Sequence, residues 1–201
     1  MDGVLIDAKD WHYEALNRAL NLFGYNISRY DHLVTFDGLP TREKLKMLTL
    51  EHGLPESLHG FLNDLKQVYT MELVNARCKP VFQHEYTLSR LRLKGYKLAV
   101  ASNSVRNSVA TMMERSALAP HLDFQLSNED VAHGKPAPDI YHQAAAKLGF
   151  HPAECLVVED NAKGIEAAEK AGCPVLAVES VLDVTLERIN QRIQEIDRSN
   201  Y

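Results

Sequence analysis

The sequence predicts an α/β protein, a parallel sheet covered by helices, with an all-helical segment set into it near the N-terminus. Two observations carry this. From about residue 80 onward, short and almost wholly apolar runs alternate with helical stretches, and strands of that kind are buried on both faces of a parallel sheet. Before residue 80 the apolar positions recur at three- and four-residue intervals with no strand among them. The expected division is 1–10 with 81–201 for the α/β part and 11–80 for the helical part.

The first helix follows from Trp11, Ala15, Leu16, Ala19, Leu20 and Phe23, with Gly24 placed as its C-cap. A second begins after Pro40, where Thr41 can cap and Leu45, Leu48 and Leu50 supply apolar positions. A third runs through LHGFLNDLKQVYTMELV. The strands expected beyond it are YKLAVAS (96–102), LDFQLS (122–127), ECLVVED (154–160) and PVLAVES (174–180). Helices near 82–94, 105–117, 138–148 and 162–171 separate them, and LERINQRIQEIDRSNY closes the chain as a surface helix.

Composition limits the function classes. The 201 residues are 45% hydrophobic and 24% charged, with net charge −5 and no block of Lys or Arg, so nothing points to nucleic acid or an anionic membrane surface. No apolar run approaches a membrane span, and the acidic start is unlike a signal peptide. Cys78, Cys155 and Cys173 are odd in number and lack C-x-x-C spacing, which predicts free thiols in a reducing compartment. A soluble, cytoplasmic protein is expected, and a monomer, because no additional apolar stripe is evident.

A parallel sheet binds ligands at the carboxyl ends of its strands. YKLAVAS ends there in Ser102-Asn103-Ser104, and ECLVVED ends in Glu159-Asp160. Lys135 stands in HGKPAPDIY, and Asp2-Gly3 opens the chain. Singly, these residues read as helix caps, turn residues and a solvated lysine. Together they bring a hydroxyl, an ammonium and several carboxylates to one sheet edge. Carboxylates that face one another raise each other's pKa unless a cation intervenes, and oxygen ligands suit Mg²⁺. Lysine, hydroxyl and backbone N–H donors beside such a cation make a cradle for a phosphoryl group.

On these motifs the whole chain resembles the haloacid dehalogenase superfamily, in the branch of β-phosphoglucomutase and phosphoglycolate phosphatase. Asp2-Gly3-Val4-Leu5-Ile6-Asp7 is similar to the second half of the family's first motif, Ser102 matches the second, Lys135 the third, and Glu159-Asp160 in VEDNAKGIEAA the fourth. The resemblance implies a Rossmann-like core with the helical segment as a cap domain. It also implies roles: Asp2 as general acid/base, Ser102 and Lys135 holding the transferring oxygens, and Asn103 assisting them. Mg²⁺ would sit on Asp160, on the Asp2 carbonyl and near Glu159. In the cap, His12, Arg42, Lys66 and Tyr69 would face substrate, Arg42 where phosphomutases grip a second phosphate.

The family's nucleophile is the Asp two positions before the second Asp of the first motif, and Asp2 is that second Asp. The expectation is that Met1 is an internal residue of an Asp-Met-Asp-Gly motif, that a strand precedes it, and that the chain beginning at Met1 is inactive. Three functions remain: a Mg²⁺-dependent phosphatase on a small phosphorylated metabolite, a phosphomutase, or a non-catalytic phosphoester-binding protein.

Overall fold

The computed structural model describes residues 1–36 and 39–199, so the last two residues expected in the closing helix lie outside the described residues. The chain divides into two compact units, Met1–Asp7 with Cys78–Tyr201, and Ala8–Arg77. The breaks fall three residues before the expected ones at both ends.

The Ala8–Arg77 unit is built of α1 (Lys9–Asn21), α2 (Arg29–Val34), α3 (Thr41–His52) and α4 (His59–Arg77). Leu16, Ala19 and Leu20 share one face of α1 and pack with Leu45 and Leu48 of α3 and Leu62 of α4. Each such leucine is worth about 1.5–3 kcal/mol on burial. Gly53 ends α3 at φ +69, and this left-handed turn drops the fully buried Leu54 into the same core.

Local chemistry departs from expectation at three points. Leu22, not Gly24, is the C-cap of α1, and Gly24 takes φ +77 in the turn beyond it. Pro40 is the N-cap of α3 and Thr41 its first helical residue. The six-residue α2 is an addition: Ser28 caps it by accepting from Asp31 N at 3.0 Å, while Tyr30, Leu33 and Val34 stay exposed.

The other unit follows the order α5 (Phe82–Leu93), β1 (Ala99–Ala101), α6 (Arg106–Arg115), β2 (Phe124–Leu126), α7 (Asp139–Leu148), β3 (Val157–Glu159), α8 (Ala162–Ala171), β4 (Val175–Ala177) and α9 (Leu186–Ser199). It is an α/β fold with parallel strands. β1 pairs with β2 in the register Ala99↔Phe124, and β3 with β4 in the register Val157↔Val175. Among the described residues the two pairs are not joined into one hydrogen-bonded ladder. Each strand is three residues long rather than the six or seven expected. At β1 the reason is visible: the Leu98 N–H goes to the Asp123 carboxylate at 2.8 Å instead of to a strand carbonyl, and Tyr96 and Lys97 are exposed.

Leu126, Ile140, Tyr141, Val157, Ala167, Ala168 and Cys173 form one apolar core of this unit. Val4, Leu91, Val178, Val184 and Ile189 form a second, where α5 meets α9. Val4 thereby ties the chain start into the fold. Residues 1–6 coil tightly, with the N–H groups of Val4, Leu5 and Ile6 all directed at the Met1 carbonyl, and Gly3 makes the bend at φ +75. No helix among the described residues is long and apolar enough to cross a membrane.

Candidate active site

β1 runs directly into Ser102-Asn103-Ser104, and β3 ends on Glu159, so both loops leave the carboxyl ends of parallel strands. Lys135 reaches the same edge from the loop before α7. Its Nζ donates to the Ala101 carbonyl at 3.1 Å and to Glu159 Oε2 at 2.8 Å, which sets the ammonium next to buried Ser102.

Glu159 is the hub. Oε2 accepts from Lys135 and, at 2.8 Å, from the Tyr141 hydroxyl; Oε1 accepts from the backbone N–H groups of Asp160 and Asn161 at 3.1 and 3.3 Å. Burial opposes ionisation of this carboxyl, but the Lys135 ammonium, the Met1 terminal ammonium and the hydrogen bonds from Lys135 and Tyr141 outweigh it and hold the pKa well below the usual range. Burial first, and then the Glu159 charge, keep the Tyr141 phenol protonated, so it remains a donor. Gly164, in the first turn of α8, lies against Glu159 so closely that a Cβ there would overlap the carboxyl carbon.

Asn103 uses its amide twice on one residue: Oδ1 accepts from Lys135 N at 3.0 Å, and Nδ2 donates to Lys135 O at 3.2 Å. Asp2 lies at the same edge, its Oδ2 accepting from the Ser104 hydroxyl at 2.8 Å. The Asp160 carboxylate lies against Gly3, where an added Cβ would overlap it. It stands just before Asn161, the N-cap of α8, where the positive end of the helix dipole favours negative charge. Asp2, Ser102, Asn103, Lys135, Glu159 and Asp160 are therefore gathered within one unit.

The remaining candidates belong to the Ala8–Arg77 unit. Lys66 is buried and its Nζ lies 3.3 Å from His12 Nδ1. Tyr69 carries the Arg18 guanidinium 4.0 Å above its ring. Arg42 has a side chain 79% exposed and meets Glu43 at 3.2 Å.

A sequence model of the haloacid dehalogenase-like hydrolase family matches residues 1–178. The chain belongs to this family. Among curated relatives of this haloacid dehalogenase-like chain, a phosphorylated carbohydrates phosphatase of Thermotoga maritima is 29% identical over 175 residues, covering 86% of this chain and 79% of the relative. The protein CbbY of Rhodobacter capsulatus is 27% identical over 188 residues, covering 90% and 83%. In fold, the β-phosphoglucomutase of Clostridium difficile superposes with a TM-score of 0.82 over 96% of this chain and 94% of that one, at 21% identity.

Whether these haloacid dehalogenase-like residues fit a divalent cation turns on which oxygens are still open to one. Glu159 is expected as a ligand, yet its two oxygens already accept four hydrogen bonds. No cluster of three or more His, Cys, Asp or Glu among the described residues is arranged to hold a metal. Asp160 is the other expected ligand, and its carboxylate lies against the bare Gly3, the residue that follows Asp2. The Asp160 carboxylate and the Asp2 backbone carbonyl are oxygen donors of the kind taken by a hard cation that keeps several waters.

Sequence reasoning missed two site residues. Tyr141 lies one turn into α7, within the quoted GKPAPDIY, and its distance from Lys135 in that motif was its only signal. Ser104 was hidden by the ordinary helix-capping use of serine.

Proposed function

We propose that this chain carries the site of a Mg²⁺-dependent phosphatase acting on a small phosphorylated metabolite, a phosphosugar or similar polyol phosphate, in the cytoplasm. The observation that carries this is the Lys135 ammonium, held between the Ala101 carbonyl and Glu159 beside Ser102. Two of its three donors are fixed to protein, and this reading assigns the third to a phosphoryl oxygen. The name of the Thermotoga maritima relative supports phosphorylated carbohydrate as the substrate class.

Each residue then has a role. Ser102 Oγ accepts from Ser104 N at 3.1 Å, so its hydroxyl proton is left to donate to a phosphoryl oxygen. Asn103, its side chain committed to Lys135, offers its backbone N–H. Glu159 and Tyr141 hold Lys135 in place rather than touch substrate. Asp2 gives a proton to the leaving oxygen and takes one back from the attacking water. Asp160 and the Asp2 carbonyl would hold Mg²⁺, which supplies charge neutralisation of the phosphoryl oxygens. His12, Lys66 and Tyr69 are read as substrate contacts of the helical cap.

The acceptor carboxylate in this reading is an Asp two positions before Asp2. A phosphomutase would need a firm second phosphate grip, and the exposed Arg42, whose ion pair among the described residues is with Glu43, favours the phosphatase.

The test is Mg²⁺-dependent phosphate release from a panel of phosphorylated metabolites, comparing the 201-residue chain with one extended by the codons upstream of Met1. Mg²⁺-dependent release supports the reading. Tight phosphoester binding without turnover in both would replace it with a non-catalytic binding protein.

A further inference from the structure

Ser104 is fixed on every side. Its N–H donates to Ser102 Oγ at 3.1 Å, its carbonyl accepts from Asn128 N at 3.1 Å, and its hydroxyl donates to Asp2 Oδ2 at 2.8 Å. The loop that carries it is braced from the β2 side. Arg106 N donates to Glu129 Oε2 at 2.7 Å, and the Arg106 guanidinium meets Asp130 Oδ1 at 2.9 Å. Asp130 is itself locked by the Ser127 N–H and hydroxyl at 2.8 and 2.6 Å. These bonds fix the Ser104 backbone between two strand–loop units, and from there its hydroxyl reaches Asp2 Oδ2.

A carboxyl group turns about two side-chain torsions, and a group that must pass a proton gains from having them fixed beforehand. We propose that Ser104 is the positioning residue of Asp2, an assignment that rests on the phosphatase reading. Its hydroxyl donates to Oδ2 and so fixes the turn of the carboxyl. In the forward step phosphorus bonds to the acceptor carboxylate of that reading as its bond to the leaving oxygen breaks, and the leaving oxygen takes the Asp2 proton. The Asp2 carboxylate left behind, still held at Oδ2, recovers a proton from the water whose oxygen then bonds to phosphorus as the acceptor carboxylate is released. No electrons change hands, and Ser104 neither gains nor loses a proton.

The role predicts a dependence on the leaving group that mere folding support would not produce. An alkoxide leaves poorly without a proton, whereas p-nitrophenolate leaves well without one. In the full chain as its gene encodes it, Ser104→Ala should lower kcat on an alkyl phosphate such as glycerol phosphate about tenfold more than on p-nitrophenyl phosphate, with KM little changed. Ser104→Thr, which keeps the hydroxyl, should restore most of the difference. A crystal structure of Ser104→Ala should show the Asp2 carboxyl turned from its original direction. Equal losses on the two substrates, or an Asp2 side chain unmoved within about 0.5 Å, would overturn the assignment of Ser104 alone. No phosphate release from either substrate by the unaltered full chain would overturn the phosphatase reading and this assignment with it.

Discussion

Lys135 and Glu159 form an ion pair at 2.8 Å in which both side chains are more than nine-tenths buried. Removing one partner of such a pair strands a charge away from water, at a cost of about 3–5 kcal/mol. Lys135→Ala should therefore lower the urea midpoint substantially as well as abolish turnover. Replacing both, as Lys135→Met with Glu159→Leu, should recover most of the stability and none of the activity. Equal destabilisation by the single and double variants would show that the pair is not what the fold depends on here.

Glu159, lowered by Lys135 and by the Met1 terminal ammonium, also sets an acid limb. Glu159 has its carboxyl lowered from 4.5 to about 2 in the folded chain. The stability it contributes is complete above its unfolded value and drains away as pH falls from about 5 toward 2. Chemical denaturation of the native chain across that window should show a fall that is shallower in Glu159→Gln.

Two glycines are predicted to resist substitution for different reasons. Gly3→Ala would force a left-handed residue, costing about 1–2 kcal/mol, and would also overlap Asp160. Gly164→Ala meets no backbone penalty but overlaps Glu159, and overpacking of that kind costs about 1–3 kcal/mol. Gly60, in α4 with open space around it, is the control: Gly60→Ala should stabilise by about 0.4–1 kcal/mol. Thermal melts of the three variants would rank them.

Arg42 has the lightest attachment of the candidates. Arg42→Ala should change stability by less than about 0.5 kcal/mol and leave turnover of monophosphates nearly unaltered. A steep rise in KM confined to bisphosphates would instead point to the phosphomutase.

The fold was legible where burial imposes a period. Leu16, Ala19 and Leu20 announce α1, and LVV before Glu159 announces β3. The short α2 was not legible, because its apolar residues face water and only Ser28 marks its start. Strand lengths were overestimated because apolar runs record burial, whereas ladder bonds also need a partner, and Asp123 takes that place at Leu98. The identities of the site residues could be read from the motifs, but not their division of labour. Glu159 reads as a metal ligand beside Asp160, yet its oxygens are used by Lys135, Tyr141 and two backbone N–H groups. Asn103 likewise reads as a substrate contact while its amide serves Lys135.

That amide has a mechanical consequence. By gripping both the N–H and the carbonyl of Lys135, Asn103 fuses the loop after β1 and the loop before α7 into a single part, and Gly134 packs close to it, the place of a Cβ there lying 3.0 Å from Asn103 Oδ1. A part assembled from two distant stretches of chain cannot drift in one of them without misplacing the other. A substitution that shifts either loop is thus felt in both, and the Ser102 and Lys135 stations move together or not at all.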